Sequence, residues 1–172
     1  MIDPTDQTRR QEAVVIDMAD LDDTDRRILA VLDSDPRRPV ALIAQDLRLA
    51  RGTVHARLAR LESSGWLRPN SSRVLPSALG RGVSASIQVE LDQHQIGAAI
   101  EALSRIPEVL ECFAPAGDTD LLLRVVATDP DDLYRVAEVV RLCPGILRTS
   151  TSLFLRQVIP YRVSELLKAP LP

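Results

Sequence analysis

Between Leu47 and Leu67 the chain reads LRLARGTVHARLARLESSGWL. Arg48, Arg51, Arg57 and Arg60, with Thr53 and His55, stand around a helical repeat of Val54, Leu58 and Leu61. Arginine carries a permanent charge on a planar fork of donors that matches phosphate and the guanine edge, while threonine and histidine offer less specific hydrogen bonds. Such side chains on one short helix suit a DNA groove. The alternative is a surface helix with solvated arginines, and the surrounding charge weighs against it. Residues 1–35 hold ten acids against four arginines, residues 36–81 nine arginines against Asp46 and Glu62, and residues 82–172 twelve acids against eight bases, giving −6, +7 and −4. A basic block between acidic flanks focuses a polyanion onto one region of the surface.

Other chemistry finds little support. His55 lies on the proposed reading helix and His94 at a domain edge, and Cys112 and Cys143 have no evident base partner, so no nucleophile and base assemble into an enzyme site. The cysteines also lack the pairing of a zinc site; no metal and no cofactor are expected, and the thiols are expected reduced and packed. At 172 residues and 45% apolar content the chain can form one good core or two small ones. It has no run of 18 apolar residues, no secretory segment near Met1 and no lipidation signal, so a cytoplasmic protein without a membrane partner is expected.

The elements that must position the arginines follow from the order of the chain. Residues 1–20 are polar and acid-rich, with a short VVIDMA run, and are expected to form a flexible arm that packs on a partner. From Leu21, a cap at Asp22 or Thr24 opens a helix with Ile28, Leu29 and Leu32 inward, which Asp35-Pro36 ends. Pro39 opens a second, with Ile43, Ala44 and Leu47 inward, and a third follows after Arg48 and Leu49. This is helix-turn-helix spacing, with the last helix placed for the major groove and Arg51, Thr53 and His55 near its leading end. Arg57 and Arg60 are placed to reach phosphate or to pair with Glu62. Trp66 is expected as a core plug, and residues 66–82 as a connector with room for a small wing or strand pair.

The remainder reads β-α-β-β-α-β: a strand over Ser84–Leu91, a helix from about Gln93 to Arg105, strands over Val109–Ala114 and Leu121–Val126, a helix from Asp129-Pro130, and a last strand over Ile146–Ile159. The fold class is therefore α+β, a three-helix winged helix-turn-helix domain followed by a ferredoxin-like domain. Boundaries are expected at 21–66 for the first domain, 67–82 for the connector, 83–160 for the second domain and 161–172 for a tail. Because Ile87, Val89, Leu91 and their neighbours are expected not to fit under two helices alone, a second copy is predicted to cover the other sheet face. A twofold pair of reading helices would then match a palindromic site.

At this point the chain resembles the Lrp/AsnC, or feast/famine, regulators of bacteria and archaea. The likeness runs from Leu21-Asp22-Asp23-Thr24-Asp25-Arg26-Arg27-Ile28-Leu29 through Arg37, Ile43-Ala44, Val54, Arg57, Arg60-Leu61-Glu62 and Gly65. It resumes at Leu79-Gly80, Pro107-Glu108-Val109, Gly117-Asp118-Thr119-Asp120-Leu121-Leu122, Pro144-Gly145-Ile146 and Thr149-Ser150-Thr151, covering about residues 21 to 160. The resemblance implies a DNA-binding domain that takes in Arg37, Arg51, Thr53, His55, Arg57 and Arg60. It also implies a second domain, similar to ACT domains, that dimerises, assembles dimers into tetramers or octamers, and binds an amino-acid effector between dimers. Carried onto this chain, the effector residues are Gly117, Asp118, Thr119 and Asp120, with Thr149 and Thr151 as neighbours. Backbone N–H groups near Gly117 suit a carboxylate, and Asp120 an ammonium; the alternative is a strained turn with capping aspartates.

Two departures stand out. Ala50 occupies the place of the family's usual serine at the start of the reading helix, and Pro69-Asn70 with Ser71-Ser72 replaces its glycine-tyrosine pair in the connector. The function implied is a sequence-specific transcriptional regulator modulated by an amino acid; the alternative is a DNA-bridging architectural protein of the same fold with little effector control.

Overall fold

The computed structural model describes residues 21–169, so the expected arm over residues 1–20 lies outside the described residues. The described residues divide into two compact units, one of residues 21–67 together with 161–169, the other Arg68–Pro160.

In the first unit, α1 (Asp23–Ser34) begins at a reciprocal capping box: Asp22 accepts the Asp25 N–H at 2.9 Å, and the Asp25 carboxylate accepts the Asp22 N–H at 3.3 Å. Two of the helix's orphan donors are thereby satisfied at once. Helix α2 (Val40–Leu47) follows Pro39, and α3 (Arg51–Ser63) follows a tight turn at Arg48, which adopts φ 56 and ψ 45. This left-handed conformation costs a side-chain-bearing residue about 1–2 kcal/mol. The reward is a sharp reversal that lets Ile28, Ile43, Ala44 and Val54 close into one core, bordered by Val31, Leu32, Val40, Leu47, Leu49 and Leu58. Leu61 is also fully buried, whereas Trp66, the expected plug, is half-buried, with the Arg60 guanidinium 5.4 Å from its ring centre. A short helix, α6 (Ser164–Lys168), packs on α1, and Arg26 donates to the carbonyls of Leu166 and Ala169.

The second unit opens with two 3-10 turns, Asn70–Arg73 and Pro76–Leu79, where the sequence had left room for a wing or strand pair. Proline at or next to the start of each turn favours this tight curl over a ladder that needs every N–H. Then come β1 (Val83–Leu91), α4 (Ile96–Ser104), β2 (Val109–Phe113), β3 (Leu121–Ala127), α5 (Pro130–Arg141) and β4 (Ile146–Leu153). The sheet is fully antiparallel in the order β2-β3-β1-β4, the ferredoxin-like split. The last strand is shorter than expected: pairing with β1 ends as Phe154 donates to Ser84 O at 2.9 Å, and Pro160 lies beyond.

One sequence inference is overturned. Ala85, Ile87, Val89 and Leu91 all point to the helix side, joining Leu123, Val125, Ala99, Leu103, Leu133, Val136 and Val140 in a single core. The strict period of two in β1 makes this possible, since Ser84, Ser86, Gln88 and Glu90 take the other face. The outer face of β1 is therefore polar.

The exit from the connector is pinned electrostatically. Glu108, 7% exposed, receives Arg135 at 2.8 Å and Arg81 at 3.5 Å, while Asp132 receives Arg81 at 3.0 Å and the Thr128 N–H at 2.9 Å. The Thr128 N–H and then Arg135 pull the Asp132 carboxyl down to about 2. Burial pushes the Glu108 carboxyl up, but Arg135 and Arg81 more than offset it and leave it below its ordinary value.

Candidate functional site

The first candidate surface is the leading half of α3. Its N-cap is Ala50, and no side chain caps the helix. Three backbone donors at the start of α3 consequently face outward without an internal acceptor. Arg51, Thr53 and His55 are exposed there, and no hydrogen bond or ion pair ties their side chains to a described residue. Arg48, at the corner of the turn, is equally exposed and unpaired among the described residues. The sequence counts it in the basic stretch but leaves it out of the residues assigned to DNA contact; in the structure it stands at a turn with a positive φ. Arg37 is exposed in the turn after α1, where its backbone N–H bonds the Asp35 carboxylate at 3.3 Å.

At 3.6 residues per turn, Gly52, Ala56, Ala59 and Ser63 form the midline of the outward face of α3, and all four are exposed. This midline has no long side chain, so a partner can approach the helix backbone closely. Longer groups flank it, with Arg51 and His55 on one side and Thr53 on the other.

Arg57 and Arg60 behave differently. Arg57 bonds Asp22 and sits 3.2 Å from the Asp25 carboxylate, and Arg60 bonds that same carboxylate; the expected pairing with Glu62 is replaced by these two contacts with α1. The Asp25 N–H, with Arg57 added, holds the Asp22 carboxyl below its ordinary value, and Asp22 in turn raises Arg57. A more voluminous hollow of about 450 Å³ lies between α1 and α2, lined by Arg27, Ala30, Val31, Arg38, Asp46 and Leu47 among others, but it is a shallow trough away from α3.

The second candidate surface is the turn before β3. Pro115, Ala116, Gly117, Asp118 and Thr119 border a hollow of about 180 Å³ whose floor is Gln88 and Leu122 on the outer sheet face. Gly117 has φ +135, a conformation that an L side chain rarely adopts. Asp118 is exposed and unpaired among the described residues. The Asp120 carboxylate, by contrast, accepts the Leu91 N–H at 2.7 Å and Gln93 Nε2 at 2.6 Å, while the Asp120 N–H donates to Val89 O at 3.1 Å. It ties the start of β3 to the end of β1.

Thr149 and Thr151 are not brought to the hollow within one chain. They pair with Val89 and Ile87, whose side chains face the helices, whereas Gln88 faces the hollow. Directly opposite residues share a face, so the sheet separates these threonines from Gly117–Thr119. Gln88 and Leu122 were missed by sequence reasoning because only the register places them there. Burial pushes the Cys112 and Cys143 thiols above their ordinary value, which disfavours reactive thiolates at neutral pH. Among the described residues no group of histidine, cysteine and carboxylate side chains can hold a metal ion, and no helix is long and apolar enough to cross a membrane.

Similarity to known proteins covers most of both units. Residues 21–68 match the family described as winged helix-turn-helix DNA-binding, and residues 84–164 the family described as the Lrp/AsnC ligand binding domain. The HTH-type transcriptional regulator AldR of Mycolicibacterium smegmatis is 36% identical over 138 residues, which cover 78% of this chain and 81% of AldR. The structure of E. coli AsnC matches with a TM-score of 0.77 at 24% identity, over 84% of this chain and 98% of AsnC, a likeness of fold. A transcriptional regulator from Neisseria meningitidis, solved as a complex with L-Met, matches with a TM-score of 0.73 at 26% identity, over 86% of this chain and 99% of that one.

Proposed function

The chain belongs to the Lrp/AsnC family of DNA-binding transcriptional regulators, which are not enzymes, and from that premise we propose how it reads DNA and what controls it. The leading half of α3 enters the major groove of double-stranded DNA, with Arg51, Thr53 and His55 at base edges and Arg48 and Arg37 on phosphate. The observation that carries this reading is that those side chains are exposed and unpaired among the described residues, beside a midline of Gly52, Ala56 and Ala59. A cation with no internal partner keeps its full interaction for phosphate, and a smooth midline lets the helix sit deep.

The second unit is proposed to bind an amino acid at the hollow by Gly117, Asp118 and Thr119, with Gln88 and Leu122 as its floor. The Neisseria relative's complex with L-Met supports this chemistry. Pockets that enclose a small molecule usually measure about 300–1,000 Å³. A hollow of about 180 Å³ is therefore half of a site, which a second copy completes. Homodimers assembling into tetramers or octamers supply that second half, and Thr149 and Thr151 contribute, if at all, from a neighbouring chain. Asp118 is the proposed ammonium acceptor, because the Asp120 carboxylate is already bonded twice. Such a regulator works in the cytoplasm, on the chromosome. By role, the proposed limits are residues 21–66 for reading, 67–82 as connector, 83–160 for sensing and assembly, and 161–172 as a tail, whose described residues fall in the reading unit.

Binding to duplex DNA from upstream of its own and neighbouring genes, measured by gel shift at physiological salt, tests the first part. Preference over random duplex is expected, and equal affinity for both refutes sequence-specific reading. Calorimetry against the twenty amino acids tests the second part. Heat from at least one is expected; a flat result, with DNA binding intact, favours a DNA-bridging architectural role instead.

A further inference from the structure

Two of the arginines on α3 are spoken for, and the group that holds them is a buried carboxylate that the reading surface itself does not use. Asp25 is fully buried. Its Oδ2 receives Arg57 Nη1 at 3.2 Å and makes a close ion pair with Arg60 Nη2, while Asp22 takes Arg57 from the other side. Asp25 Oδ1 has no hydrogen-bond partner among the described residues, where the two guanidinium groups are the main compensation for a charge removed from water. Arg60 is further fixed by the Trp66 ring beneath it. Position 57 lies beside the buried stripe of Val54 and Leu61 and position 60 on the exposed flank, yet both side chains bond the carboxylates of α1.

We propose that Asp25 is a positioning residue that limits the sequence-independent affinity of the reading unit: it holds Arg57 and Arg60 against α1 and so withholds two cations of α3 from phosphate. The inference rests on the DNA-reading role proposed above for the other face of α3. Its consequence follows from how charge acts on DNA. Each phosphate neutralised steepens the fall of log K with log[salt] by about 0.9, and it does so on any sequence. Two more such contacts would strengthen binding to random duplex by the same factor as to the operator, raising sequence-independent affinity and its salt dependence while leaving the ratio between the two unchanged. A carboxylate that occupies both arginines leaves a larger share of the binding to Arg51, Thr53 and His55, which meet base edges. The same contacts set the roll of α3 about its axis, because they fix one flank of the helix at two points one turn apart.

The test is a salt titration of DNA binding by fluorescence anisotropy, using the full-length protein, the upstream duplex it prefers and a scrambled duplex. Arg57→Gln and Arg60→Gln are each expected to leave the slope of log K against log[salt] unchanged, whatever they do to stability. Asp25→Asn is expected to steepen the slope by up to about 1.8, two arginines at about 0.9 each. Between 50 and 200 mM salt that means roughly tenfold more loss of affinity than the parent shows, on the upstream and the scrambled duplex alike. A merely structural role would lower thermal stability without steepening the slope. A fall of about 0.9 in slope for either arginine variant, or a folded Asp25→Asn with an unchanged slope, overturns the proposal. If Asp25→Asn does not fold, as judged by circular dichroism, the two arginine variants decide alone. A parent protein that prefers neither duplex refutes the DNA reading itself, and the clamp with it; a parent that prefers its own duplex while the arginine variants lose slope refutes only the clamp.

Discussion

Asp120→Ala separates a structural carboxylate from a ligand-binding one. The side chain accepts two hydrogen bonds, from the Leu91 backbone N–H at 2.7 Å and from Gln93 Nε2 at 2.6 Å. A bond to a charged acceptor contributes about 1.5–3 kcal/mol when its donor is sheltered. The Leu91 bond is partly buried and the Gln93 bond exposed, so the first dominates and the second adds little. Removing both should cost about 2 kcal/mol, because the Leu91 N–H at the end of β1 then loses its acceptor. For a unit of this size that corresponds to a fall in Tm of about 8–16 °C. Differential scanning calorimetry of the ligand-free protein reads it directly. Asp118→Ala is the internal control, since its carboxylate bonds no described residue: its Tm should stay within a degree or two of the parent while amino-acid binding weakens. The reasoning fails if Asp120→Ala melts like the parent but no longer binds an amino acid, for the carboxylate would then be serving the ligand and not β1.

Ala50→Ser restores a hydroxyl at the uncapped start of α3 and should add about 1 kcal/mol of stability, seen as a raised denaturation midpoint; unchanged DNA affinity alongside it would show that the missing hydroxyl is immaterial to docking. Gly145→Ala should destabilise the second unit by at least about 2 kcal/mol. Gly145 has φ +75, and an added Cβ would lie 2.6 Å from Gln95 Cβ; a folded variant melting like the parent would contradict this packing. The Asp132 carboxyl titrates at about 2, below its ordinary 3.8. A depressed folded value means a contribution fully present above about pH 4 and lost as pH falls toward 2. In acid titrations followed by circular dichroism, the stability gap between the parent and Asp132→Asn should therefore be constant from neutral pH down to about pH 4 and close below it.

Local chemistry made much of this structure legible in the sequence. The start of α1 was legible to within two residues, at Asp22 or Thr24, of which the structure uses Asp22, and the alternation from Ser84 to Leu91 announces β1, because both signals are complete within a few residues. What escaped depends on partners far along the chain. Arg57 and Arg60 looked outward-facing because their acceptors, Asp22 and Asp25, lie more than thirty residues away. Asp120 looked available to a ligand because the Leu91 N–H that engages it belongs to another strand. The strand register that puts Gln88 over the hollow and turns Thr149 and Thr151 to the opposite face has no signature in the threonines themselves.

The unit that reads DNA also contains the described residues from Tyr161 onward, with α6 set on α1 by Arg26. Topologically, the sheet unit is an insert: the chain enters it from the reading unit and returns there. Ala169 is thus carried on the reading unit, where its carbonyl accepts Arg26 of α1. A fluorophore placed on the described residues from Tyr161 to Ala169 reports on the reading unit, although more than ninety residues of the sheet unit separate it in sequence from α3.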